Sequence, residues 1–133
     1  MKFSYVHPDD DELRILLEVG FVLREASRFE DAKTLFGGVL ELIPDSDIPR
    51  VGLGTVELQR GNFELAQIAC EDALRVKPES LYAKVHLAES LLFQKKRPEA
   101  ESELRSIIAS NTNSPHSRTA QALLDVAHLF SPD

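Results

Sequence analysis

The chain has 133 residues, enough for one domain of ordinary size, and 43% of them are hydrophobic. Its 15 basic and 22 acidic residues give a formal charge of −7, which repels phosphate backbones and anionic membranes and argues against nucleic-acid or membrane partners. The single cysteine excludes an intrachain disulfide, and no apolar run approaches the roughly 20 residues that span a bilayer.

Residues 1–12 read as an N-terminal arm without the apolar stretch of a secretory signal, so a cytoplasmic protein is expected. Asp9-Asp10-Asp11-Glu12 follows His7-Pro8 and precedes a periodic apolar run. Carboxylates there offset the positive end of a helix and cap its free N–H groups. The central glycine and distal glutamate of a calcium loop are absent, so capping is preferred to metal binding. Leu13, Leu16, Leu17, Gly20, Phe21 and Leu23 lie three and four apart and predict a first helix over 13–25. Ser27-Arg28 marks a turn, and a second helix is expected over 29–42. Gly37-Gly38 inside it costs about 1 kcal/mol per glycine against alanine, which points to close backbone contact or to a local weakness. A phosphate loop is excluded, because no Lys-Ser/Thr follows.

Ile43-Pro44-Asp45-Ser46-Asp47 is a turn in which Ser46 or Asp47 can cap the next helix, with Pro49 in its first turn. Helices are predicted over 48–59 and 63–76, joined at Arg60-Gly61-Asn62, and over 81–94 and 98–110, with Ser80 as a cap. Asn111-Thr112-Asn113-Ser114-Pro115 breaks the pattern. A last amphipathic helix over 116–130 carries Ala120, Leu123, Leu124, Ala127 and Phe130 on one side.

One period runs through these elements. Gly20, Gly54 and Ala88 are spaced by 34 residues, as are Ala32, Ala66 and Ala100, then Phe36, Cys70 and Leu104, and the pairs Phe29/Phe63 and Pro44/Pro78. Small residues, aromatics and prolines sharing one spacing make an internal repeat. With a large-then-small pair in the first helix, an early alanine in the second and a late proline, the pattern resembles the tetratricopeptide repeat over Leu13 to about Asn113. Arg97 replaces the expected phenylalanine, and Thr112 the expected proline, in the third repeat. The resemblance implies an all-α fold: a right-handed superhelical stack of three helix-turn-helix repeats (13–46, 47–80 and 81–115) plus a C-terminal capping helix and tail over 116–133. The same helix could serve dimerisation instead, through Leu123, Leu124, Leu129 and Phe130.

Nothing in the chain assembles a catalytic, cofactor or metal site. Cys70 occupies the slot of Phe36 and Leu104, which marks it as a core residue. His7, His86, His116 and His128 lack the spacing of a helical metal site. Glu99, Glu101 and Glu103 scatter around their helix, and Lys95-Lys96-Arg97 is a solvated basic corner.

The resemblance further implies that the first helix of each repeat lines a concave groove. Among the slots so placed, Leu17, Phe21, Val51, Thr55, Leu58, Tyr82, Val85, His86, Leu92 and Phe93 form the candidate partner-binding groove. Leu17 and Leu92 are the side chains most expected to turn into the core instead. Family members that clasp a C-terminal carboxylate carry lysine, asparagine and arginine where Leu17, Phe21, Thr55, Val85 and Glu89 stand here, so that mode is not expected. An apolar strip calls for a protein client, as an amphipathic helix or an extended peptide. Size, charge and groove character are similar to the small tetratricopeptide chaperones of bacterial type III secretion. The alternatives are a scaffold subunit of a larger assembly, or a homodimer whose groove is filled by its own arm through Phe3, Tyr5 and Val6.

Overall fold

The computed structural model describes residues 9–110 and 113–131. Seven α-helices follow one another: α1 (Asp10–Glu25), α2 (Phe29–Leu42), α3 (Ile48–Arg60), α4 (Phe63–Val76), α5 (Leu81–Phe93), α6 (Arg97–Ser110) and α7 (Pro115–Val126). A 3₁₀ turn (Ala127–Leu129) ends the chain's last helix. Among the described residues there is no strand. The arm residues Phe3, Tyr5 and Val6, with His7 and the Asn111-Thr112 part of the breaker, lie outside the described residues.

The helix ends follow local chemistry. Asp9 is extended and its side chain accepts from the Glu12 N–H at 2.9 Å, so α1 starts at Asp10. The helix thus begins three residues ahead of the expected Leu13, and the other acids fill its first turn, where they offset the dipole. Ser80 caps α5 and Ser114 caps α7, each accepting from the N–H three residues on. Of the two candidate caps for α3, Ser46 and Asp47, it is the Ser46 side chain that bonds the helix start. The Ile48 N–H donates to Ser46 Oγ, whereas Asp47 accepts from the Ser80 hydroxyl one repeat later at 2.5 Å. The turns between paired helices share one backbone device: Ser27, Gly61 and Lys95, again 34 residues apart, all take positive φ. The last helix also departs from expectation, because it tightens after Val126 and swings Phe130 onto Phe93, with ring centroids 5.2 Å apart.

Consecutive helices pack against one another throughout the described residues. In addition α1 touches α3 and α3 touches α5, whereas α2, α4 and α6 make no comparable contact with one another. The first helices of the hairpins therefore form the inner layer of a curved stack, and the second helices splay outside it. The periodic small residues let these layers close. Phe36 is fully buried, and a Cβ added to Gly20 or Gly52 would lie 2.7 or 2.8 Å from its ring. Gly54 similarly approaches Cys70 Sγ, where a Cβ would come within 3.2 Å. The core is spread along the stack: Ala32, Phe36 and Val56 at one end, Val51, Ala73 and Ala83 in the middle. At the other end Ala88, Leu91, Leu104 and Ile107 join Ala120 and Ala127 of the last helix. Ile15, Val19 and Val22 on α1 stay exposed. Later repeats place Pro49/Ala83, Leu53/Leu87 and Val56/Ser90 in those slots, where a preceding hairpin covers them.

Candidate functional site

The concave face is built from α1, α3 and α5, and the ten residues expected there divide by burial. Val51, Thr55, Val85 and Leu92 are buried; Val51 packs with Ala73 and Ala83, and Thr55 is covered by Arg24 of α1. Leu17 and Phe21 are half-buried against the Phe36 cluster, and Tyr82 is half-buried against Val51 and Ala83. Leu58 and His86 are also half-buried, and Phe93 is 47% exposed. The members of that set that stay at least partly exposed are Leu17, Phe21, Leu58, Tyr82, His86 and Phe93, set on a buried apolar layer.

Aromatic contacts hold several of these side chains. Phe21 meets Phe36 at 5.2 Å between centroids. Phe93 stacks on Phe63 at 4.8 Å and receives Phe130 edge-on, so the last helix frames one end of the face. Tyr82 makes an edge contact with His86 at 5.1 Å and lies 6.4 Å from His116 of α7. Burial pushes the Tyr82 hydroxyl up to about 12, partly offset by the charge of Arg24.

A polar strand crosses the apolar surface. Arg24 Nη1 donates to Thr55 Oγ1 at 2.8 Å, and Nη2 contacts Glu25 Oε1 at 2.8 Å. The guanidinium carbon sits 5.2 Å from the Phe21 centroid, within cation–π range. Gln59 Nε2 reaches the same Glu25 oxygen at 3.2 Å. Hydrogen bonds from Arg24 and Gln59 hold the Glu25 carboxyl below its ordinary value. The signal for the network was the repeat register, since Gln59 stands 34 residues after Glu25.

The outer face carries an open cleft of about 430 Å³ lined by Leu40, Arg50, Leu53, Ala69, Asp72, Arg75 and Val76. Its cations are engaged internally: Arg50 donates to the carbonyls of Pro44 and Ser46, and Arg75 pairs with Asp72. Among the dimerisation candidates, Leu123, Leu124 and Phe130 pack against the C-terminal core, while Leu129 is 69% exposed. Cys70 is buried, and its thiol is pushed up to about 12 by that burial. Among the described residues no group of three or more His, Cys, Asp or Glu side chains could hold a metal ion. Among the described residues no helix is long and apolar enough to cross a membrane.

No curated protein matches the chain in sequence. Solved structures match it closely in fold. The type III secretion translocator chaperone SycD from Yersinia enterocolitica is 26% identical and superposes with a TM-score of 0.74, over 91% of this chain and 95% of that one. SycD in complex with a peptide of the translocator YopD gives 24% and 0.75 over the same shares. PcrH from Pseudomonas aeruginosa gives 24% and 0.77, over 91% of this chain and 95% of its own. The family model described as tetratricopeptide repeat matches residues 57–124, about half of the sequence. With the 34-residue register, the paired helices and the inner layer of first helices, that match places the chain in the tetratricopeptide repeat family.

Proposed function

We propose that the chain is a non-enzymatic protein-binding module, a cytoplasmic chaperone or adaptor that takes up a hydrophobic amphipathic helix or extended segment of a client in its concave groove. The observation that carries this reading is the inner face itself. Leu17, Phe21, Leu58, Tyr82 and Phe93 remain partly open on three successive helices of one curved wall. A partner segment that covers them removes apolar surface from water, at roughly 25 cal/mol per Å². The likeness to SycD, a translocator chaperone whose structure is also solved with a YopD peptide, supports the same mode. Binding would act by mass action, covering the client's own assembly surface and keeping the complex in solution.

The test is recovery of partners from cells that express the protein, using variants that change the groove without breaking the core. Phe21 packs on Phe36, so a charge there would unfold the first repeat. Phe93→Glu and Leu58→Glu are the better probes, with helicity and melting checked alongside. Loss of the same partner from both folded variants supports the groove, and undiminished recovery contradicts it.

A further inference from the structure

The two junctions between repeats are built on one register and differ in charge. At the first, Arg24 of α1 crosses to α3 and donates to Thr55, with its guanidinium over Phe21. A displacement of 34 residues carries Arg24 to Leu58 and Thr55 to Glu89. At the second junction the slot that held a cation thus bears an aliphatic side chain, and the acceptor facing it has become a carboxylate. Residues 82, 86, 89 and 93 follow one another on a single face of α5, so Glu89 sits among Tyr82, His86 and Phe93.

Glu89 has no lysine or arginine partner among the described residues, and the basic side chain beside it, His86, is a cation only when protonated. The Glu89 side chain is 29% exposed, and Oε1 lies 2.8 Å from His86 Nδ1. That nitrogen is buried and makes no hydrogen bond, so the contact is close but misaligned. The nearby Arg24 is committed to Thr55 and Glu25. The charge of Glu89 is felt inside the fold, where it disfavours ionisation of both Cys70 and Tyr82. A carboxylate in such a half-dry position gains strongly from an opposite charge that donates hydrogen bonds to it.

We propose that Glu89 is a subsite for a lysine or arginine side chain of the segment bound in the groove, whose cation takes up, one repeat later, the place Arg24 holds at the first junction. The inference rests on the groove reading above and adds the sign of charge that reading leaves open. The ligand's aliphatic stem runs over Leu58, and its cation meets Glu89 beside the Tyr82 ring. The client segment is therefore apolar with one basic residue in fixed register, and an acidic residue at that point is rejected.

A phage-displayed random-peptide library panned on the purified protein supplies the probe. Peptides whose capture is lost with Phe93→Glu are the groove ligands, and each is resynthesised with norleucine in place of every basic residue. Groove ligands are expected to share one lysine or arginine at constant spacing from their apolar anchors. Its replacement by norleucine should weaken binding to the wild type about tenfold. The same replacement should change binding to Glu89→Gln by less than about twofold. Groove ligands without a fixed basic residue, or an equal norleucine penalty on Glu89→Gln, overturn the subsite and leave the groove standing. A library that yields no groove ligand overturns the groove reading and the subsite with it.

Discussion

The ring of Phe36 rests directly on the α-carbon of Gly52, where a Cβ would sit 2.8 Å from Phe36 Cε1. Gly20 meets the same ring from α1, with its Cβ position 2.7 Å away. One aromatic side chain therefore sets the spacing of the first three helices. Alanine at either glycine gains helix propensity of about 1 kcal/mol but forces the buried ring aside, which costs about 1–3 kcal/mol. Gly20→Ala and Gly52→Ala should each lower stability by up to about 2 kcal/mol in denaturant titrations. Phe36→Leu should recover part of that loss when combined with either, and additive losses would contradict the contact.

Gly37 is the opposite case. A Cβ there meets nothing within 4 Å, and α2 runs unbroken through it. Of the two explanations the sequence allows, close backbone contact does not apply to this glycine. Gly37→Ala is expected to raise stability by about 0.5–1 kcal/mol, measured by thermal or urea unfolding.

The three hairpin turns predict a matched set of effects. Ser27 and Lys95 hold φ of 61° and 63°, the left-handed region that Gly61 occupies at 83° without strain. Ser27→Gly and Lys95→Gly should each stabilise the fold, by up to about 1 kcal/mol, while Gly61→Ala should destabilise it by a similar amount.

Alkaline pH should weaken the fold in a defined window. Burial raises Cys70 from 9.0 and Tyr82 from 10.0 to about 12 each. The unfolded chain loses these protons first, so the stabilisation is complete below about pH 9 and is lost as pH rises toward 12. Unfolding midpoints should fall across that range, and less so in Cys70→Ala. The native thiol should also resist alkylation at mildly alkaline pH and react promptly once denaturant is added.

Much of the fold was legible because each repeat restates the same constraints. Phe29 and Phe63 open α2 and α4 at the predicted residues, and Ala32, Ala66 and Ala100 are all fully buried. Small residues at 20, 52 and 54 mark where helices touch, although the ring that demands two of them, Phe36, is identified only by the packing. Helix ends were less legible. Ser46 and Asp47 looked equally able to cap α3; Ser46 takes the Ile48 N–H, while the Asp47 carboxylate serves Ser80, a pairing 33 residues away that no local rule anticipates. The candidate site was legible as a set of slots and not as a surface. Val51 and Val85 share the polarity pattern of groove residues, yet both are buried, Val51 against Ala73 and Ala83 and Val85 in the C-terminal core. The Arg24–Thr55 bond needed two repeats in register before its meaning, and the contrast with Leu58 and Glu89, came into view.

The most direct measurement of the central claim is site-specific photo-crosslinking in cells that express the protein. A photoreactive phenylalanine at position 93 lies on the inner wall, whereas one at Leu65, itself 54% exposed, lies on the outer helix α4. A client chain held in the groove predicts one discrete crosslinked partner from position 93 and none from position 65. Crosslinks to that partner from position 65, with position 93 silent, would contradict the account.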